Sequence, residues 1–343
     1  MRRQILVIVW MVGVLFSAHA DGWRWFNPYP QGNTLESLAS DGNFGEVFGG
    51  HCGTLVYLSS SGWQLIPTGV SGTLTGAWIS SAGDAFLCSE TGELLRFDGS
   101  VVDIIGQTGG SALHDLTGFS DTRIYAGGAG GVLLHYDGSQ WSPVACPSQD
   151  TILRLFAFPS GELLVAGENG LVMVLIGDSW TEIQGGPAED WHAVWGLSPD
   201  HFYLAGTNGS IVLYDHAVWT PIGISTTNTF FDMAGSSDSE LFIVGEYGLI
   251  VAAIGSIWTI VPSGTTETLH AIERTASGDY LAAGVQGTMI RWTGEAWEQM
   301  NKGFTNDICG LWAPGPDHVE IVTSCGSLVI WDGHSWSDLL GGG

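Results

Sequence analysis

The chain has 343 residues and a formal net charge of −26, with 35 acidic residues against nine basic ones. Nucleic acids and anionic membrane surfaces both attract clustered lysine and arginine, so this composition excludes them as partners. Five cysteines in a chain of this length exclude a disulfide-rich scaffold. The acidic composition is explained by a need for solubility or, alternatively, by binding to a cationic partner.

The first twenty residues have the pattern of an export signal. Arg2 and Arg3 precede an apolar stretch over Ile5–Phe16, and Ala18-His19-Ala20 forms a small-x-small cleavage site. The apolar stretch is short for a membrane span, which needs about 20 residues, and an uncleaved anchor is the alternative. We therefore predict a signal peptide over residues 1–20 and a secreted or periplasmic protein with no membrane insertion after signal removal. Its removal leaves seven basic and 35 acidic residues, a net charge of −28.

The rest of the chain is a repeat of 39 residues that begins at Thr34 and occurs eight times. One position is glycine in every copy, and ten residues later seven copies have tryptophan and the second has Val102. The glycines are Gly53, Gly92, Gly131, Gly170, Gly209, Gly248, Gly287 and Gly326. The tryptophans are Trp63, Trp141, Trp180, Trp219, Trp258, Trp297 and Trp336. A fixed period of this length indicates a repeat architecture.

Each repeat predicts four short strands. Apolar runs of four to six residues alternate with Gly, Ser, Asp and Pro, and no long stretch has the period of a helix. The invariant glycine opens the turn from the second strand to the third, where we expect a positive φ. The third strand ends in a tight turn such as Asp137-Gly138, and the tryptophan opens the fourth strand. Four such strands in about forty residues predict one blade of a β-propeller.

Eight repeats therefore predict an all-β fold, an eight-bladed β-propeller over residues 34–343. Residues 21–33 carry Trp23 and Trp25 near the phase of the repeat tryptophan. We expect this segment to add a strand between the last and the first blade and so to close the ring. The alternative is a ring of seven blades plus an extra unit.

The fifth repeat carries a resemblance to known proteins. It reads Trp191-His192-Ala193-Val194-Trp195-Gly196-Leu197-Ser198-Pro199-Asp200, followed by Ala205-Gly206, Asn208-Gly209 and Tyr214-Asp215. This unit resembles the repeat of exported bacterial β-propellers, a group that includes Asp-box repeat proteins and photosystem II assembly-factor-like propellers. The resemblance covers all eight repeats, concerns the fold and implies little about function. Asp137-Gly138 departs from an Asp-box, in which one residue separates Asp from Gly. Nothing matches the arginine triad of sialidases, and no catalytic residue follows from the resemblance.

The third residue of each repeat is a candidate metal ligand. In the odd-numbered repeats this residue is Glu36, His114, His192 or His270, so that one carboxylate and three imidazoles would stand at quarter-turns around the ring. If they face the central channel, they would suit a first-row transition metal. In the other interpretation they point between blades as core histidines, and the protein has no cofactor.

An aromatic cluster is a candidate ligand site. Trp78, Phe156, Trp195 and Trp312 share one position near the end of the first strand. Aromatic side chains around one mouth of the propeller could stack on sugar rings. The alternative is that they fill the space between blades.

Two cysteines are candidates for a disulfide. Cys52 and Cys325 share one position in the first and last repeats, which ring closure would make neighbours in an oxidising compartment. A bridge requires Cα atoms within ~7 Å of each other. The alternative is that neighbouring blades are further apart at that radius.

The sequence lacks the motifs of common catalytic sites. It contains no nucleophile elbow, phosphate-binding loop, calcium loop or zinc-type cysteine pairs, and no repeat has an enlarged loop. This regularity favours an exported, non-enzymatic scaffold that binds a protein or another ligand across one face or at the channel mouth. The alternatives are a carbohydrate-binding propeller and a metal-dependent enzyme with a three-histidine, one-glutamate site.

Overall fold

The computed structural model describes residues 33–255 and 257–300, and beyond them residues 308–315, 318–323, 328–331 and 336–338. The chain divides into two units, one of residues 31–302 and one of residues 1–30 with 303–343. The predicted signal, residues 1–20, and residues 21–32 of the predicted closing strand lie outside the described residues. In the described part of the chain, no helix has the length and apolar character that a membrane span requires.

The described part of the 31–302 unit contains seven antiparallel sheets, each a meander of four strands from one repeat. The first strands of the seven sheets are β1 (Leu35–Asp41), β5 (Leu74–Ile79), β9 (Leu113–Ser120), β13 (Ile152–Ala157), β17 (Trp191–Ser198), β21 (Phe230–Ser237) and β25 (Leu269–Arg274). The second strands are β2 (Gly45–Gly50), β6 (Ala85–Ser89), β10 (Arg123–Gly128), β14 (Leu163–Gly167), β18 (His201–Gly206), β22 (Glu240–Gly245) and β26 (Tyr280–Gly284). The third strands are β3 (Thr54–Ser59), β7 (Glu93–Phe97), β11 (Leu133–Tyr136), β15 (Val172–Ile176), β19 (Ile211–Asp215), β23 (Ile250–Ile254) and β27 (Met289–Trp292). The fourth strands are β4 (Gly62–Ile66), β8 (Val102–Gln107), β12 (Trp141–Pro143), β16 (Ser179–Glu182), β20 (Val218–Pro221), β24 (Ile257–Val261) and β28 (Trp297–Gln299).

The seven sheets form a closed ring. Each first strand packs beside the first strand of the next blade, and β25 of the seventh blade packs on β1 of the first. At this seam Nδ1 of His270 lies 3.2 Å from Oε2 of Glu36. The unit is therefore a seven-bladed β-propeller, and the predicted eight-bladed ring is wrong. The repeat count sets the number of sheets, whereas the packing of the closing blade on β1 decides how many of them make the ring.

The eighth repeat forms a four-stranded antiparallel sheet in the other unit. Its strands are β29 (Ile308–Gly315), β30 (His318–Thr323), β31 (Leu328–Trp331) and β32 (Trp336–Asp338). Their order is that of a propeller blade, so the local repeat alone does not reveal that this copy belongs to a separate unit. A ring of seven with an extra unit is the alternative that the sequence left open.

The inner strands of the blades are apolar because other blades pack on both faces of each sheet. Every residue of β6 and of β14 is buried. Between the fourth and fifth blades, Phe158 and Leu164 pack with Trp191 and Phe202 in one core cluster. Because both faces of an inner sheet are covered, its strands are almost continuously apolar instead of alternating.

The invariant glycine has the expected positive φ. Gly53 has a φ of +66°, and a Cβ atom there would lie 2.1 Å from the carbonyl oxygen of Val70. Six of the seven turns between second and third strands are short 3₁₀ turns, namely His51–Gly53, Ala129–Gly131, Glu168–Gly170, Thr207–Gly209, Glu246–Gly248 and Val285–Gly287. Their middle residue also has a positive φ, as in Asn208 at +57° and Tyr247 at +55°. Only the glycine of this pair was predicted.

Two repeat tryptophans, Trp180 and Trp219, anchor their outer strands to the preceding blade. Nε1 of Trp180 donates to the carbonyl oxygen of Ala145 at 2.8 Å, and Nε1 of Trp219 donates to that of Gln184 at 3.0 Å. Trp297 occupies the same position in the seventh blade and is 6% exposed. Its Nε1 has no partner among the described residues.

This contrast predicts that the same substitution lowers the free energy of unfolding by different amounts at two equivalent positions. Trp219→Phe and Trp297→Phe both lose part of an indole ring, but only the first breaks a hydrogen bond and leaves a carbonyl oxygen without its donor. We expect Trp219→Phe to lower the free energy of unfolding by about 1 kcal/mol more than Trp297→Phe. Urea denaturation of the two variants measures the difference, and equal costs or the reverse order would contradict the assignment.

Candidate site at the centre of the ring

A small cavity of about 160 Å³ lies where the seven first strands meet. We call it the axial pit. It is lined by Glu36, Thr75, His114, Leu153, Arg154, His192, Phe231 and His270. All except Arg154 are the third residue of their repeat, so the structure brings Glu36 and the three histidines of the sequence prediction to one cavity.

A β-bulge turns these residues toward the axis. In the first blade Leu35 pairs with Gly50 and Ser37 pairs with Gly49, so Glu36 has no partner in the ladder. The same skip occurs in the other six blades of the ring. A bulged residue leaves the regular pleat and re-aims its side chain. Simple alternation, which underlies the interpretation as core histidines, therefore does not hold at this position.

Glu36 is bracketed by two imidazoles. Its Oε1 lies 3.0 Å from Nε2 of His51, and its Oε2 lies 3.2 Å from Nδ1 of His270. His51 follows β2 and is exposed, so the pit opens on the face that carries the 3₁₀ turns. Burial lowers the pKa of His114, His192 and His270, which keeps these imidazoles neutral at pH 7.

Although Glu36, His114, His192 and His270 line one pit, they do not form a metal-binding group. Among the described residues, no three His, Cys, Asp or Glu side chains stand together in a way that could hold a metal ion. Glu36, His114, His192 and His270 come from four different blades spaced around the ring. The transition-metal site stays a prediction that the geometry of the described residues does not support.

Arg154 forms the floor of the pit and joins four blades. From the fourth blade its Nε donates to the carbonyl oxygen of His192 at 2.7 Å, and its Nη2 donates to that of Phe231 at 2.6 Å. Nη2 also lies 3.0 Å from Oδ1 of Asp232, and Nη1 lies 3.7 Å from Oδ1 of Asp115. The guanidinium group therefore contacts the third, fifth and sixth blades.

Each of the two aspartates also accepts a backbone hydrogen bond from a neighbouring blade. Oδ2 of Asp115 accepts the backbone N–H of Leu155 in the fourth blade at 2.7 Å. Oδ2 of Asp232 accepts that of Ile272 in the seventh blade at 2.9 Å. The half-buried Arg154, the buried Asp115 and the half-buried Asp232 thus link five consecutive blades, the third to the seventh.

Burial strongly perturbs the acids around Arg154. It raises the pKa of Asp115 to about 6 and also raises the pKa of Asp232, although Arg154 opposes both shifts. Burial, together with the charge of Asp232, raises the pKa of Glu273 to about 8. At pH 7 Glu273 is therefore mostly protonated, and the charge of Arg154 is balanced mainly by the two aspartates.

Carboxylates surround the mouth of the pit. Glu90 and Glu168 follow the second strands of their blades and raise the pKa of His114 through their charge, against the effect of burial. Asp190 and Glu168 act on His192 in the same way. Oε1 of Glu90 accepts both the N–H and the hydroxyl of Thr73, which lowers the pKa of Glu90. The mouth is therefore negatively charged at neutral pH.

Sequence reasoning missed the floor and the rim of the pit. Arg154 was assigned no role from the sequence. It is nevertheless the one basic residue at the fourth position of the repeats in the ring, where the others are Ser37, Gly76, Asp115, Ala193, Asp232 and Ala271. That irregularity, a lone cation with two acids in one repeat position, was the available signal.

The aromatic cluster is not assembled as predicted. Trp195 is 8% exposed, and its Nε1 donates to the carbonyl oxygen of Gly235 in the next blade at 3.0 Å. The ring of Trp78 lies against Gly118 of the next blade, and Phe156 packs against the cores on either side of the fifth blade. Trp312 is 57% exposed and belongs to the other unit. Three of the four thus pack between blades, and a carbohydrate site here stays a prediction.

The proposed disulfide falls partly outside the described residues. Cys52 is exposed in the first 3₁₀ turn, whereas Cys325 is not described. Since the seventh blade neighbours the first, the ring-closure argument for this pair no longer applies. The pairing itself stays a prediction.

Solved structures confirm the propeller fold. "YCF48 bound to D1 peptide" is 14% identical with a TM-score of 0.64, and the match covers 77% of this chain and 94% of that chain. "YCF48 from Cyanidioschyzon merolae" is 11% identical with a TM-score of 0.65, covering 80% and 100%. The WD40 β-propeller domain of Doa1 is 13% identical with a TM-score of 0.59, covering 78% and 92%. At these identities the likeness concerns the fold alone. The sequence matches no family model and no curated protein.

Proposed function

We propose that this protein is an exported, non-enzymatic scaffold that binds a segment of another protein on the face where the axial pit opens. The observation that carries the proposal is the pit itself, a cavity whose mouth is surrounded by carboxylates. A concave site with converging polar groups is the usual place for a ligand. The net charge of −26 disfavours nucleic acid and favours a partner with basic residues.

Two further observations support a protein partner. One of the structural neighbours was solved with a peptide bound, so a propeller of similar fold can bind a peptide. The described blades are joined by short turns, and no enlarged loop of the kind that usually carries catalytic groups interrupts them. Export rests on the pattern of residues 1–20.

Charge reversal on the two faces tests the proposal. The purified mature protein would be titrated with fluorescent peptides of equal length that carry zero, two or four lysines, at low and moderate salt. We expect affinity to rise with peptide charge and to fall with salt. Glu90→Lys with Glu168→Lys should weaken binding of the four-lysine peptide at least tenfold.

The matched control is a second double variant with the same net charge, in which the two reversed charges lie on the opposite face. Asp178 and Glu295 are exposed in turns between third and fourth strands, on the opposite face of the ring. Asp178→Lys with Glu295→Lys should change the affinity less than threefold. Equal losses in both double variants would show non-specific attraction to an acidic protein and would overturn the proposed binding face.

A further inference from the structure

We propose that the axial pit receives a single alkylammonium group, either the side chain of a lysine or the N-terminal amine of the partner segment. This inference rests on the proposed function and specifies the chemistry of its centre. A protonated amine carries three hydrogen-bond donors and no acceptor, so its pocket must offer several acceptors and negative charge.

The wall of the pit offers acceptors. Glu36 contributes a carboxylate at the seam between the first and seventh blades. The hydroxyl of Thr75 donates to the carbonyl oxygen of Leu113 at 2.8 Å, which leaves its lone pairs available to a donor. His114 and His192 are neutral at pH 7, and each neutral imidazole has one nitrogen that accepts a hydrogen bond.

Apolar side chains complete the wall. Phe231 lies between His192 and His270, with ring centroids 5.8 Å and 4.8 Å away, and Leu153 lines the pit from the fourth blade. An aromatic ring attracts a cation over its face, and Leu153 can contact the methylene groups that precede the amine. An alkylammonium group matches both features.

Size and charge exclude other occupants. A volume of 160 Å³ is smaller than the roughly 300–1,000 Å³ of a pocket for a drug-sized ligand, and it suits an amine with its last methylene groups. An anion would meet Glu36 and the carboxylates of the rim. Arg154 does not repel the amine strongly, because Asp115 and Asp232 balance its charge.

Binding of the amine should depend on pH because protonated imidazoles in the wall of the pit would repel the positively charged ligand. Because burial lowers the pKa of all three histidines, acidification protonates them only below their usual range, and each protonated imidazole adds a positive charge to the pit. The titratable and charged groups that face His114 are Glu90 and Glu168, and those that face His270 are Glu36 and His51. Arg154, Asp190, Glu168 and His114 face His192. A bound amine further opposes protonation, so affinity should rise with pH from 5 to 7.5.

Small probes test the pit directly on the full mature chain. The imidazole NMR signals of ¹⁵N-histidine-labelled protein would be followed during titration with n-butylammonium, n-butanol and butyrate at pH 7.5. We expect saturable shifts of the His114, His192 and His270 signals with n-butylammonium only. Glu36→Gln should weaken this binding at least tenfold, and Phe231→Leu by about threefold. Glu295→Gln, an exposed change on the opposite face, should leave it unaltered.

Two peptides distinguish the sources of the amine. Acetyl-Gly-Lys-Gly-amide carries only a side-chain amine, and Gly-Gly-Gly-amide carries only an N-terminal amine. Competition with n-butylammonium by either peptide supports the proposal and identifies the source. Absence of saturable shifts with n-butylammonium, or saturable binding of butyrate instead, would overturn it. If lysine peptides still bound through Glu90 and Glu168 in that case, the scaffold function would stand without the ammonium pit.

Discussion

Replacing Arg154 with methionine should lower the free energy of unfolding by about 3–5 kcal/mol, since removal of one partner leaves a buried charge uncompensated. The substitution removes two hydrogen bonds to backbone carbonyl oxygens and leaves Asp115 and Asp232 without their cation. Methionine retains the aliphatic length of the side chain, so the lost charge and its hydrogen bonds dominate the cost. Guanidinium chloride denaturation at pH 7 measures the difference.

An exposed arginine provides the matched control. Nη2 of Arg96 lies 2.6 Å from Oδ2 of Asp84, and 45% of the arginine side chain is exposed. Exposed ion pairs contribute about 0–1 kcal/mol, so Arg96→Met should be nearly neutral. Similar costs for the two variants would show that Arg154 does not hold the blades together.

The loss of unfolding free energy caused by Arg154→Met should become smaller as the pH falls. A buried carboxyl whose folded pKa lies above its unfolded value destabilises the fold when ionised, and protonation relieves this as pH falls. The pKa of Asp115 is already raised to about 6 with Arg154 present, and loss of the cation raises it further. The gap between wild type and variant should therefore narrow between pH 7 and pH 5. A gap that stays constant over this range would argue against uncompensated carboxylates as its cause.

A chain that ends at Lys302 should fold into the same cooperative propeller as the longer chain. All seven blades lie in residues 31–302, and β25 packs on β1 without the eighth repeat. A chain that ends at Glu267 lacks the seventh blade and exposes the core that Phe242 and Val244 share with Tyr280 and Ile290. We expect it to lose cooperative unfolding and near-UV circular dichroism, because apolar burial supplies most of the stability.

Thermal denaturation of the three chains compares the two truncations. The Lys302 chain should melt within a few degrees of the mature protein, and the Glu267 chain should show no sharp transition. A fall of more than about 10 °C in Tm for the Lys302 chain would mean that the eighth repeat stabilises the ring itself. Such a result would contradict closure by the seventh blade.

Much of the local structure could be predicted because it depends on short-range physics. The 39-residue period predicts four strands per unit, and the structure shows them in each repeat. The positive φ of the invariant glycine follows from the turn that it opens. The regular spacing places a tryptophan in the outer strand, and Trp180 and Trp219 anchor their outer strands to the preceding blade.

The centre of the ring could not be predicted in the same way. A bulge adds one residue without changing the apolar pattern, so the direction of Glu36 and His114 was undetermined. Arg154, Asp115 and Asp232 are up to 117 residues apart in the chain of repeats, from Asp115 to Asp232, and their contacts exist only once the blades are arranged around an axis. The aromatic cluster shows that a shared position in the repeat does not fix exposure, since Trp195 is 8% exposed and Trp312 is 57% exposed.

The amino-acid sequence by itself determined the strand pattern, the glycine turns and the acidic character of this protein, because each depends on residues a few positions apart or on composition. Only the tertiary structure decided that seven blades close the ring and that the third residue of each of these seven repeats faces its axis. Closure depends on whether the last blade fits against β1, and the bulge depends on how the strands pair. Neither ring closure nor the bulge produces a recognisable sequence pattern, because the repeat is almost the same in every copy.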